Sequence, residues 1–308
     1  MTAFVIRRLL WTIPLILTVM LVTFALMRGI GGSPFRLEFG GVPLALQLRF
    51  ERYYGLDDPW FVEFWNYVRH VSTFDFGPSL TNRYVTVDQV IKERFPVSLA
   101  LSALAAAWAV PLGIGLGLVA ALARNTRVDR VATVIATIIL VVPVFLFSDL
   151  AATHLVNKWN VVPPGWDSWR ARIVPPLVLG LAPAGYIARL MRAAVVETLE
   201  QDYVRTARAK GLYSDRIIWR HVVPNSLVPF LSAAVPTLAL LVTGAFFVES
   251  AFGIPGAAEY YLNATLNRDY PMVMGLTVAL AVLVIFANLI ADLIAVLLDR
   301  RLVEKEVT

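Results

Sequence analysis

The chain contains no cysteine. Disulfide staples, thiol nucleophiles and cysteine metal sites are therefore excluded, although the absence says little about compartment. Histidine is almost as scarce. His70, His154 and His221 stand far apart and no H-E-x-x-H pair occurs, so no metal or nucleophile site is in view. No G-x-x-x-x-G-K-[ST] run is present, which leaves the chain without a phosphate-binding loop of its own. Charge is thin, with Asp, Glu, Lys and Arg at 16% of 308 residues. The period-two alternation of a membrane barrel is missing, and so are internal repeats.

What is there is apolar surface, 58% of residues with a mean hydropathy of +0.69. It arrives in six blocks, at roughly 9–30, 97–123, 129–153, 173–191, 226–248 and 272–298. A helix needs about 20 residues to cross a hydrocarbon core, and each block meets that length or nearly so. Backbone groups in lipid must be satisfied within their own segment, so helix is the economical answer. These blocks predict an all-α integral membrane protein with six transmembrane helices. The first, Leu9 to Met27, is too long for a signal-peptide core. Met27-Arg28-Gly29 is also a poor cleavage site, so a retained span is expected.

Basic residues set the orientation. Arg7 and Arg8 precede the first block, Arg300 and Arg301 follow the last, and Arg124, Arg127 and Arg130 lie between the second and third. Arg189, Arg192, Arg205, Arg208, Lys210, Arg216 and Arg220 cluster around the segment between the fourth and fifth. All fall on one side if both termini are cytoplasmic, as the positive-inside rule favours. Segments 31–95, 154–172 and 249–271 are then external, and 193–225 forms an inner loop.

In the long outer segment, Asp58 and Pro59 suit the N-cap and first position of a short helix. Trp60, Phe61, Phe64, Trp65 and Val68 share one face of it. Two readings stand there, a helix in the outer membrane interface or one packed onto the ends of the spans. Trp159, Pro163-Pro164, Trp166 and Trp169 mark a second interfacial loop. Gly253, Pro255 and Gly256 end the fifth helix, after which Tyr260 and Tyr261 re-enter the interface. Gly113 and Gly117 form a G-x-x-x-G suited to close helix packing. Pro14, Pro111, Pro143, Pro183, Pro229 and Pro236 either kink spans or pack. Among polar groups within or near the blocks (Asp149, His154, Glu249, Asn288, Asp292), Asp149 and Glu249 are the candidates for a substrate path. The competing reading puts them at the outer boundary, in contact with water.

The inner segment is the most distinctive. Asp202-Tyr203-Val204-Arg205-Thr206-Ala207-Arg208-Ala209-Lys210-Gly211 reads as a short polar helix, with Asp202 and Arg205 as an i,i+3 pair. Gly211 suits the left-handed residue just past its end. Ser214 or Asp215 is expected to cap a second short helix through Ile217, Ile218 and Trp219. Pro224 precedes the fifth span. The spacing of Ala207 and Gly211 puts two small residues on one face, open to another protein.

These residues resemble the coupling loop of ATP-binding-cassette (ABC) importer permeases, whose pattern is E-A-A, three residues, G, nine residues, I-x-L-P. Arg205, Thr206 and Ala207 occupy the E-A-A positions, Gly211 the glycine, and His221, Val223 and Pro224 the I, L and P positions. The first alanine, the glutamate and the isoleucine are replaced. Against the peptide-importer branch, where D-Y-V-R-T-A-R-A-K-G is typical, the match is nearly complete. Gly55-Leu56-Asp57-Asp58-Pro59, Asp75-Phe76-Gly77-Pro78-Ser79 and Pro143-Val144-Phe145 resemble the same branch, specifically its B-type permease. So do Glu249-Ser250-Ala251-Phe252-Gly253-Ile254-Pro255-Gly256 and Leu266-Asn267-Arg268-Asp269-Tyr270-Pro271. Gly31 to Phe50 departs most.

The resemblance implies a single 1–308 permease domain of the type I ABC importer fold, in the cell membrane. It implies a non-catalytic subunit with no cofactor of its own, ATP and Mg being used by two partner ATPase subunits. Asp202, Tyr203, Arg205, Ala207, Ala209, Lys210, Gly211 and Pro224 would be the ATPase-coupling residues. A related C-type permease would complete a heterodimer, and an extracytoplasmic binding protein would deliver peptide. No nucleic acid is implied. Nickel chelates, glutathione and glycosides are the other cargoes of this branch. An ion-coupled secondary transporter would also use intramembrane acids, but it calls for repeated halves that this sequence lacks.

Overall fold

Long apolar runs with few breakers become helices, and their breaks fall at proline and glycine. The structure is a computed structural model describing residues 2–29, 52–53, 58–82, 84–239, 241–267 and 269–298. Helices α1 (Thr2–Gly29), α2 (Trp60–Ser72), α3 (Val87–Leu122) and α4 (Arg127–Val141) come first. Then follow α5 (Val144–Ala151), a π-helical turn (Ala152–Lys158), α6 (Val174–Leu199), α7 (Asp202–Ala209) and α8 (Ser214–Ile217). A second π-turn (Ile218–Val222) leads into α9 (Val223–Ala239), α10 (Leu241–Phe252), α11 (Ala257–Leu266) and α12 (Tyr270–Leu298). Among the described residues, four helices are long and apolar enough to cross a membrane, or up to six if each of two broken pairs is one span.

One of those broken pairs replaces the single third helix expected at 129–153. Pro143 has no N–H to give, and its ring disfavours a helical residue before it. Val142 is accordingly extended, Pro143 becomes the N-cap of α5, and the chain turns by 89° between α4 and the segment after it. Pro175 and Pro176, by contrast, sit in the first turn of α6, where the missing N–H groups have no intrahelical partner to lose.

The chain divides into two units. One is built from Ser98–Pro255 with Phe286–Thr308, and α6 is its axis, in contact with α4, α5, α9 and α10. Small residues let it be so crowded. A Cβ on Gly113 would lie 2.8 Å from the Ala184 carbonyl, and Gly117 faces Ala188 and Met191. A Cβ on Gly185 would lie 2.8 Å from the Ala136 carbonyl. The G-x-x-x-G of α3 is thus a packing surface for α6, and the approach distance is what forbids a side chain. Trp108 lies flat against Gly180 and donates its Nε1–H to the Pro176 carbonyl at 2.8 Å.

The other unit is built from Thr2–Val97 with Gly256–Ile285. Phe64 of α2 packs edge-on against Phe24 of α1, and Arg28 pairs with Glu63. Pro59, not Asp58, is the N-cap of α2, one residue later than the acidic cap expected from sequence. The buried Asp269 opens α12, accepting the Met272 N–H at 3.3 Å. Its other oxygen accepts the Thr81 hydroxyl at 2.7 Å and the Ser79 hydroxyl, so one carboxylate ties a loop to a helix start. Tyr260 is half-buried beneath the Arg94 guanidinium, and the Tyr261 hydroxyl meets Thr277, so both rings expected to re-enter the interface make contacts within this unit. Gly31–Phe50, Gly55–Asp57, Arg268, Arg300 and Arg301 lie outside the described residues.

Candidate functional site

The segment after α6 is built outward from its apolar residues. Val204 and Ala207, three apart on α7, turn to the same side and join Ile217 and Val222 in a cluster with Met191, Val195 and Phe230. Everything else on α7 is exposed. An eight-residue helix is too short to hold itself in water, so this buried stripe is what fixes it.

Its end is closed in a specific way. Gly211 has φ +76, and the Leu212 N–H reaches the Ala207 carbonyl at 3.3 Å while the Gly211 N–H reaches that of Arg208 at 2.9 Å. That is the Schellman pattern, in which a left-handed residue lets two trailing N–H groups satisfy the last carbonyls. Leu212 then folds back onto the buried cluster. The turn needs glycine for its backbone, since a Cβ there would meet nothing within 4 Å.

Two expectations change. Ala207 and Gly211 do not offer a shared open face, because Ala207 is buried against the cluster and only Gly211 is exposed. Helix periodicity stops at the turn, and the φ reversal sends the chain elsewhere. Neither Ser214 nor Asp215 caps α8; Tyr213 holds the N-cap position, and no side chain bonds to the free N–H groups.

The exposed side carries Asp202, Tyr203, Arg205, Ala209, Lys210 and Gly211, with Tyr213, Arg216 and Trp219 beyond the turn. Partial burial pushes the Tyr203 hydroxyl above its ordinary pKa, so the ring stays a neutral donor. The Asp202–Arg205 pair forms at 3.5 Å with both groups in water, where such pairs add little. Pro224 is exposed in the first turn of α9, just after the second π-turn.

Polar contacts that sequence reasoning missed tie this surface to the helices. Arg192 of α6 grips Asp129 of α4 with both prongs, Nε to Oδ1 at 2.6 Å and Nη2 to Oδ2 at 2.7 Å. The Asn125 N–H adds a third bond to that carboxylate at 3.0 Å. Arg124 meets Glu200 at 2.5 Å, two residues before α7 begins. Beneath them the Ser226 hydroxyl donates to Thr198 at 2.9 Å, joining α9 to the last turn of α6 in a buried contact. The sequence signal for Asp129 was an acid at the start of an apolar block, but several arginines compete for it and the partner lies 63 positions away.

Asp149 and Glu249 occupy the neighbouring helices α5 and α10 in unlike surroundings. Asp149 is exposed, whereas Glu249 is 1% exposed. Among the described residues no cluster of three His, Asp or Glu could hold a metal ion. The side chain of Asp292 lies outside the described residues.

Comparison with known proteins agrees along nearly the whole chain. Residues 113–304 match the family described as "Binding-protein-dependent transport system inner membrane component". The dipeptide transport system permease protein DppB of Bacillus subtilis (strain 168) is 37% identical over 303 residues, 98% of each chain. The oligopeptide transport system permease protein OppB of Escherichia coli (strain K12) is 34% identical over 305 residues, 98% of this chain and 99% of the relative. OppB of Haemophilus influenzae is 33% identical over the same coverage. In fold, the chain is similar to an inward-facing MetNI methionine ABC transporter, with a TM-score of 0.56 and 19% identity over 68% of this chain and 96% of that one. An amino acid ABC transporter with histidines gives a TM-score of 0.50 at 17% identity, over 69% and 94%. The chain therefore belongs to the binding-protein-dependent transport system inner membrane component family, as a non-catalytic, multi-pass permease subunit of the cytoplasmic membrane with the type I ABC importer fold.

Proposed function

We propose that this chain forms half of the pathway by which peptides enter the cell, driven by ATP hydrolysis in partner ATPase subunits. Membership in the family implies ATPase and binding-protein partners and a second permease. In our reading the second permease is a related C-type chain, both termini are cytoplasmic, and segment 31–95 with the loops at 154–172 and 249–271 lies outside. The peptide cargo is carried by one observation: relatives covering nearly the full chain at 33–37% identity are dipeptide and oligopeptide permeases.

The inner loop 193–225 is the ATPase-coupling element. Asp202, Tyr203, Arg205, Ala209, Lys210 and Gly211 form the contact surface, Ala207 anchors it from behind, and Pro224 fixes the return to α9. A force applied to α7 passes through the buried cluster to α6 and α9, because close-packed side chains shift as a unit. Asp149 and Glu249 line the substrate path on α5 and α10.

The test is growth of an amino-acid auxotroph lacking this gene and any redundant peptide importer. The required residue is supplied only within di- to hexapeptides. Wild type restores growth, and Gly211→Val at equal membrane abundance does not. Equal growth with and without the gene removes the peptide reading and moves the cargo to metal chelates, glutathione or glycosides. Growth restored equally by both forms leaves the cargo intact and removes Gly211 from the linkage.

A further inference from the structure

Helix α2 carries aromatic side chains that the described residues leave exposed. Trp60, Phe61 and Trp65 are 55%, 53% and 60% exposed, in a helix of only 13 residues. Phe61 and Trp65 are a helical turn apart and lie on one arc. Trp60 stands edge-on to Phe61 at 6.2 Å, and Trp65 lies beside the buried Phe64 at 5.8 Å, so the exposed rings flank the Phe64 contact. Scattered exposed apolar residues need no explanation, but a contiguous patch does.

Phe64, between those rings on the same face of α2, fixes where that surface lies. Phe64 is buried against Phe24 of α1, and Glu63 pairs with Arg28. Phe24 is five residues before Gly29, the end of α1, so it sits about 7–8 Å inside that end at 1.5 Å per residue. α1 is itself a candidate span whose Ile13, Leu15, Val22 and Leu26 are exposed. A candidate membrane span and the aromatic residues of α2 therefore meet at the Phe24–Phe64 contact. Interfacial helices bury their apolar face roughly 5–10 Å into the headgroup–acyl boundary, and the Phe24–Phe64 contact lies a similar distance from the end of α1. Tryptophan is enriched at that level because its ring is apolar while its N–H seeks water. Arg69, beyond the arc, is exposed and free to stay among the headgroups.

We infer that α2 is a bilayer-surface helix, with Trp60, Phe61 and Trp65 seated in the lipid interface at the end of α1. The partner it fits is the lipid surface itself. This arrangement holds the first span at a set depth, with Arg28–Glu63 and Phe24–Phe64 as the brace.

This chain contains no cysteine, so single cysteines can be placed in it once those of its partner subunits are replaced. Phe61→Cys and Trp65→Cys are spin-labelled in the assembled transporter in lipid nanodiscs. Collision with oxygen is compared with collision with a water-soluble nickel chelate. Leu15→Cys in mid-α1 sets the hydrocarbon limit, and free label in buffer sets the aqueous limit. Both α2 positions should give a ratio between the two limits and close to one another. A ratio at the aqueous limit overturns the inference by placing the helix in water. An immobile label that neither reagent reaches overturns it too, by showing that protein covers the arc: the second permease, the binding protein or another part of this chain. As a label-free check, Trp65→Phe should reduce the share of tryptophan fluorescence quenched by brominated lipid, and no change overturns the seating of Trp65.

Discussion

Helices α1 and α6 are both long and apolar enough to cross a membrane, yet they live in opposite surroundings. Only 17% of the most apolar stretch of α1 is buried within the chain, against 56% for α6, although α1 is the more apolar of the two. In water the order would be reversed. In lipid, apolar side chains gain nothing by leaving the solvent, so helices associate through close van der Waals packing and small residues. α6 has Gly180, Ala184, Gly185, Ala188 and Ala194 buried in its length, while α1 turns Leu10, Ile13, Leu15 and Leu26 outward. Hydropathy marks what can enter the membrane, and side-chain size marks what stands at its core.

That contrast can be broken most severely at Arg192, toward the C-terminal end of α6. Asp129→Ala leaves Arg192 without its two-pronged partner, and a lowered midpoint in the thermal unfolding of the solubilised protein is expected. Asp129→Asn/Arg192→Leu should recover part of the loss. A single mutant as stable as wild type would show that the pair is ornamental to α6.

Next comes Gly185→Val, which forces a Cβ to within 2.8 Å of a backbone carbonyl that has no side chain to swing away. Overpacking of that kind costs about 1–3 kcal/mol, and a lowered yield of folded protein is the readout. Gly211→Val follows, at about 1–2 kcal/mol of backbone strain confined to the loop. Membrane insertion should survive while uptake falls, and Gly211→Asn should retain more activity because asparagine tolerates the left-handed region.

The smallest effect sharpens the other half of the contrast. Leu15→Ala on α1 should change stability by less than about 0.5 kcal/mol, because the side chain exchanges one apolar contact for another. A loss above about 2 kcal/mol, the scale of a core truncation, would show that this side of α1 is covered by a protein partner in the assembled transporter.

The legible parts of the chain were those where a local rule had no competitor. The left-handed turn at Gly211 followed from glycine after a polar helix, and φ +76 is what is found. The spacing of Gly113 and Gly117 suits close packing, and both lie against α6. The failures came where a second force acts. Pro143 is a candidate kink by its chemistry, but nothing local says that the chain turns through 89° there. Helix spacing puts Ala207 on an open face only if the helix runs on past Gly211, where φ reverses. Asp58 lost the cap to Pro59 by one position, a margin at which propensity does not discriminate.

The amino-acid sequence by itself determined that this chain enters a membrane, that it is helical there, and that the short polar helix α7 ends in a glycine turn. Apolar length, backbone hydrogen bonding in lipid and backbone sterics are properties of short segments, so they need no partner to act. Only the tertiary structure decided that Arg192 takes Asp129, that Ala207 faces inward, and which of two apolar helices forms the core. Those outcomes depend on which surfaces approach within contact distance, and residues 63 positions apart carry no local record of having met.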